Sequence, residues 1–125
     1  MIFSRSIKSF NHICGIILSV LFKDFYSQKP VITILAEGYW GTRHAKTAYG
    51  VIRYGSYPIN SVIDGGYQGL SDGNIKILKT LEEALNQDQK PQALLLGIAP
   101  IGGQLPETWL QIIKKAIKQK MHIIN

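Results

Sequence analysis

From residue 31 onward, the chain alternates short strand-length runs, nearly all apolar at 31–36 and 93–99 and interrupted by polar residues in the others, with longer stretches in which apolar residues recur every three or four positions. The short runs are Val31–Ala36 (VITILA), Ile59–Asp64, Ile75–Leu78, Ala93–Ala99 and Met121–Ile124. Continuous runs of this length, rich in β-branched residues, suit strands covered on both faces, the condition found in parallel sheets. Between the first two runs, Ala45, Ala48, Tyr49 and Ile52 fall on one helical stripe. Thr42 stands in front as N-cap and Gly55 behind as the stop. Thr80-Leu81-Glu82-Glu83 has the form of a capping box and predicts a helix to about Asp88. Pro106 fits a first helical position, and Trp109, Ile112, Ile113, Ala116 and Ile117 form the core face of a last helix. Strands that alternate with helices imply an α/β fold of three layers. Its sheet is mainly parallel, with about five strands joined by right-handed crossovers.

The first 29 residues read differently, and Pro30 marks the boundary with the domain at 30–125. Arg5 and Lys8 precede an apolar run from Ile13 to Phe22. That run is too short for a bilayer span, which needs about 20 residues. It closes on Leu21-Phe22-Lys23-Asp24, without the small residues of a signal-cleavage site. The favoured expectation is an N-terminal extension, a packed helix or an upstream appendage, with a signal peptide or membrane anchor as the lesser alternative.

Composition narrows the classes further. Apolar residues make up 46% and charged residues 18%, which excludes a disordered chain and suits one packed core. Cys14 is the only cysteine, so no internal disulfide can form, and a reducing, cytoplasmic location fits. His12, His44 and His122 match no metal-ligand spacing, so no metal is expected. The net charge of +6 admits nucleic acid, a membrane surface or an anionic cofactor as partner. Lys114, Lys115, Lys118 and Lys120, however, sit in the last turns of a helix, where they complement its negative end as a solvated face. No aromatic residues interleave with them, so nucleic acid is not expected.

In an open parallel sheet, ligands bind beyond the carboxyl ends of the strands. Three glycine-rich loops lie there: Glu37–Thr42, Asp64–Gly69 and Ala99–Leu105. Glycine admits close backbone approach and offers N–H groups to anions. The candidate cofactor-binding residues are therefore Gly38, Gly41, Thr42, Lys46, Asp64, Gly102 and Gly103. The first loop lacks the spacing of a dinucleotide fingerprint. It is not a P-loop either, because Trp40 and Ala45 occupy the glycine positions before Lys46-Thr47. Asp64 ends a strand and could accept a ribose hydroxyl or cap the glycine turn after it, the cap being favoured. Tyr39 and Trp40 could stack on a flat ligand or cover the edge of the core. His44, Lys46 and Glu37 assemble into no nucleophile–base set, so the catalytic residues stay unknown.

Three stretches carry a family resemblance: ILAEGYWGTRHAKTAYGVIRYG (34–55), VID (62–64) and LGIAPIGGQLPETW (96–109). Together they resemble the N-terminal Rossmann-like domain of the D-glutamate N-acetyltransferase-like family, long carried as a domain of unknown function. The resemblance covers residues 30–125. It implies a Rossmann-like fold, a C-terminal P-loop domain in the complete protein, and acetyl-CoA or a nucleotide together with an acidic D-amino acid as ligands of that whole. The P-loop half does not follow within this sequence, so the expectation is a ligand-binding or scaffolding domain, inactive by itself. Its P-loop partner would be encoded separately or lost. The third strand, capped helix and fourth strand also resemble CoA-binding domains of the succinyl-CoA ligase type. Two other readings stay open: a stand-alone nucleotide- or CoA-binding module, and a basic surface-binding protein. A homo-oligomer is compatible with each.

Overall fold

The computed structural model describes residues 29–67, 71–99 and 101–125. The N-terminal apolar run, Cys14, His12 and Gly69 lie outside the described residues. Five parallel strands appear where the apolar runs predict them: β1 (Ile32–Leu35), β2 (Ile59–Ile63), β4 (Ile75–Leu78), β5 (Ala93–Leu96) and β6 (His122–Ile124). A two-residue strand, β3 (Ser71–Asp72), was not expected. It pairs antiparallel with β4 across a turn at Gly73 and extends the sheet to six strands in the order β3-β4-β2-β1-β5-β6. The central strand β1 lies parallel to both neighbours, with Ile32 opposite Ile59 on one side and opposite Ala93 on the other. All four residues of β1 and of β5 are buried, which is why these segments read as unbroken apolar runs.

Two polar residues enter this core. Thr33 and Ser61 are fully buried, and their hydroxyls lie 2.8 Å apart across β1 and β2. The Ser61 hydroxyl goes on to donate to Asn60 Oδ1 at 2.6 Å. The chain of hydroxyls is satisfied, as burial of polar groups requires.

The helices are α1 (Lys46–Tyr54), α2 (Leu81–Leu85) and α3 (Glu107–Lys118). Thr42 caps a 3-10 turn, Arg43–Ala45, that leads into α1, and its hydroxyl accepts the His44 N–H. Gly55 ends α1 with an extended backbone and not in the left-handed conformation implied by a glycine stop. Its constraint is space, because a Cβ there would lie 2.5 Å from the Val51 carbonyl oxygen. The Thr80 hydroxyl accepts the Glu83 N–H, as the capping box predicts, but α2 stops at Leu85 and not near Asp88. Asn86, Gln87, Asp88 and Gln89 offer no apolar stripe to keep a further turn on the core. Pro106 is the N-cap of α3 and not its first residue. In α3 Trp109 and Ala116 are fully buried, whereas Ile117, expected in the core face, is 57% exposed. The buried arc of a helix packed on one side of a sheet is narrower than the apolar arc of this sequence. α2 packs on β2, β4 and α3, and α3 lies over β6. Lys115 and Glu82 tie the two helices at 3.1 Å. This is a Rossmann-like α/β fold.

Candidate functional site

Because β2, β1 and β5 are adjacent and parallel, the segments that leave their carboxyl ends share one rim. The loop after β1 is anchored by its own residues. The Tyr39 and Trp40 N–H groups both donate to the Ala36 carbonyl, and the Thr42 N–H donates to that of Tyr39. The Trp40 N–H also reaches Asp64 Oδ2 at 3.0 Å, and the Gly41 N–H donates to the Tyr49 hydroxyl at 2.8 Å. Four consecutive N–H groups, from Tyr39 to Thr42, are thus engaged inside the protein. These N–H groups already have acceptors within the protein. Gly38 and Gly41 have φ of +84° and +87°, so they serve the turn itself.

Asp64 is 3% exposed, and both of its oxygens are used. Oδ1 accepts the Gly66 N–H at 3.0 Å and Oδ2 accepts that of Trp40. It caps the glycine turn after β2 and staples that turn to the loop after β1. Glu37 makes the reciprocal tie, its Oε1 accepting the Gly65 N–H at 2.9 Å. The first turn of α3 joins the rim through Trp109, whose indole N–H donates to the Glu37 carbonyl at 2.9 Å. Tyr39 stands edge-on to both Trp109 and His44. Trp40 is buried in a T-shaped contact with Tyr49 and covers the core.

A crevice of about 460 Å³ opens between these segments, lined by Gly38, Trp40, Asp64, Gly66 and Tyr67. A side chain at Gly41 would meet the ring of Tyr67 at 3.2 Å. The structure therefore brings together Gly38, Gly41 and Asp64 among the candidate residues, with Thr42 beside them as a cap. Lys46, Gly102 and Gly103 do not line this crevice. Lys46 is an exposed first residue of α1. Gly102 and Gly103 form a turn with φ of +72° and +76°, and a Cβ on either would meet nothing within 4 Å. They are required by backbone conformation and not by close packing. Gly97, at the end of β5, is the reverse. Its carbonyl accepts the Ala48 N–H at 3.0 Å in the first turn of α1, and a Cβ would strike Ile34 at 2.7 Å. Among the described residues there is no cluster of three or more metal-ligating side chains, and no helix is long and apolar enough to cross a membrane.

Residues 66–125 match a Rossmann-like domain of unknown function, DUF1611_N. A crystal structure of a DUF1611 family protein from Anabaena variabilis superposes with a TM-score of 0.67 at 33% identity, covering 77% of this chain. The chain spans 29% of the length of that protein. No curated protein matches the chain. The matched residues 66–125 contain β4, α2, β5 and α3, and thus one side of the rim. The rest of the rim, from Glu37 to Asp64, lies before the matched residues.

A larger cavity, about 650 Å³, lies at the other end of the sheet, beside Val31, Pro91 and Met121, which precede β1, β5 and β6. Its size does not make it the Rossmann-type site, because it faces the amino ends of the strands. The residues that sequence reasoning missed at the rim are Tyr49, Gly97 and Trp109. Trp109 and Tyr49 stand at core-stripe positions, and periodicity says nothing of where an indole N–H or a phenol reaches across 72 or 8 residues.

Proposed function

We propose that this chain is the N-terminal scaffolding and ligand-binding domain of a D-glutamate N-acetyltransferase-like protein, working in the cytoplasm with a P-loop domain that completes the site. One observation carries the reading. The rim residues spend their polar groups on one another: Asp64, Glu37, Tyr49 and Trp109 lock three segments into a rigid wall. Such a wall positions a ligand and leaves few donors of its own to hold it. It suits half of a site, with charge supplied by a facing P-loop domain. The named acetyl transfer rests on the resemblance of the segments 34–55, 62–64 and 96–109.

In this reading the crevice by Gly38, Gly66 and Tyr67 receives part of acetyl-CoA or a nucleotide, and the amino-acid substrate is presented from the opposite domain. Glu37 Oε2 makes no hydrogen bond to the described residues and is the rim carboxylate oxygen left for a ligand. The test is a mass-spectrometric assay of acetyl transfer from acetyl-CoA to D-glutamate. The purified chain alone is expected to give no product, and addition of the P-loop portion of a longer relative is expected to restore turnover. Turnover by the chain alone, lost on substituting Glu37, would overturn the proposal. Submicromolar CoA binding by the chain alone would favour a self-sufficient module instead.

A further inference from the structure

We propose that the amino-terminal edge of the sheet holds a second site, separate from the carboxyl rim, for a compact polyanion carrying two or more phosphate or carboxylate groups. The cavity of about 650 Å³ there is lined by Lys90, Gln92, Gln119, Lys120, Met121 and His122, and no carboxylate occurs among its described lining residues. Neither Lys90 nor Lys120 makes an ion pair among the described residues, since the pair formed there joins Lys115 to Glu82. Gln92 is held in place: its Oε1 accepts the Val31 N–H at 3.1 Å and its carbonyl accepts that of His122. Its side-chain NH2 is thereby left as a donor.

The backbone supplies an independent observation. Among the described residues, the non-glycine positions with positive φ are Lys29 (+55°) and Lys120 (+62°). Both lie at this edge, Lys29 two residues before Val31 and Lys120 in the cavity wall. An L side chain is disfavoured in this conformation, and glycine is the usual occupant after a helix. Lysine at both places keeps a cationic side chain where glycine would be the less strained residue, at the expense of local stability. Two of the last carbonyls of α3 are occupied within the chain, and the lysines beside them offset the negative helix end. The Lys120 N–H donates to Ile117 O at 2.9 Å and the Met121 N–H to Ala116 O at 3.0 Å. The net charge of +6 draws anions to the surface as a whole, and this cavity gives them a place with shape.

The experiment is amide chemical-shift mapping of the full chain titrated with inorganic tripolyphosphate, with ATP and citrate as parallel arms, at low and high salt. Shifts are expected at residues 90–92 and 119–122, weakening with salt. Equal response to tripolyphosphate and ATP identifies the phosphate chain as the recognised group. A stronger response to ATP identifies a nucleotide, and one to citrate a polycarboxylate. Lys90→Gln and Lys120→Gly should each weaken binding about threefold. Lys120→Gly should at the same time raise the thermal midpoint by about 4 °C, so its lost affinity cannot be ascribed to unfolding. The site is refuted if none of the three anions shifts these amides, or if both variants bind as tightly as the parent. Shifts confined to 38–42, 64–67 and 101–105 would refute it while leaving the rim reading intact.

Discussion

Gly97 and Lys120 are constrained by opposite things, one by space and the other by backbone angle, and substitutions separate the two. At Gly97 a methyl group would collide with Ile34, Ala48 and the Leu35 carbonyl, all within 3.0 Å. Gly97→Ala is therefore expected to destabilise by about 2 kcal/mol through overpacking, read as a lower urea midpoint. At Lys120 the left-handed backbone disfavours any side chain, so Lys120→Gly should stabilise by about 1 kcal/mol in the same measurement. A destabilised Lys120→Gly would show that its aliphatic stem contributes packing that outweighs the backbone term. Asp64 makes a third case. Asp64→Asn keeps the shape but replaces one acceptor oxygen with a donor facing an N–H of Trp40 or Gly66. About 2 kcal/mol of stability should be lost, and amide shifts should move in both loops at once. Changes limited to one loop would contradict its role as the staple between them.

At the scale of elements, α2 shows how a short helix is held by its ends. Thr80 caps its start, and Lys115 of α3 meets Glu82 on its surface. Thr80→Ala should lower stability by about 1 kcal/mol, and helical content should fall mainly in α2. Hydrogen bonding to the backbone at the helix start, aided by Lys115, holds the Glu82 carboxyl below its usual pKa. The folded state therefore binds that proton less readily than the unfolded chain does. The stabilisation is present above the unfolded carboxylate pKa and is lost as pH falls through the folded value. Both groups are more than half exposed, so the effect is small and screened by salt. Denaturation curves taken between neutral pH and pH 3 should show a shallower acid decline for Glu82→Gln than for the parent chain. Identical slopes would place the acid sensitivity elsewhere.

Across the whole molecule, stability should grade outward from β1. This strand is covered on both edges and both faces, whereas β3 and β6 each pair with one strand among the described residues. Native-state hydrogen exchange should find its slowest amides in β1, β2 and β5 and markedly faster ones in β3 and β6. Uniform protection across the sheet would mean that the edges are covered by something outside the described residues.

The apolar runs at 31–36 and 93–99 have the length of strands buried on both faces, and their alternation with helical stripes made the parallel α/β class and the places of the longer strands legible in the sequence. Local chemistry also sufficed for the caps at Thr42 and Thr80, because a cap involves residues two or three apart. It did not suffice for β3, whose two residues have no periodicity to read, nor for the end of α2 or the exposure of Ile117, which depend on what the neighbouring elements cover. The rim was legible as three glycine-rich loops, but not as a locked wall. Whether a loop N–H faces a ligand or an internal acceptor depends on partners such as Asp64, Tyr49 and Trp109, and on distances across the sheet that local sequence does not encode. The same holds at the opposite edge, where Lys29, Lys90 and Lys120 are far apart in the chain. Only the sheet order, with β1, β5 and β6 side by side, gathers their segments at one end of the molecule. Hydrophobic burial is a property of each segment and survives in its composition, whereas hydrogen-bond partnership is a property of pairs and is decided only when the tertiary structure sets them face to face.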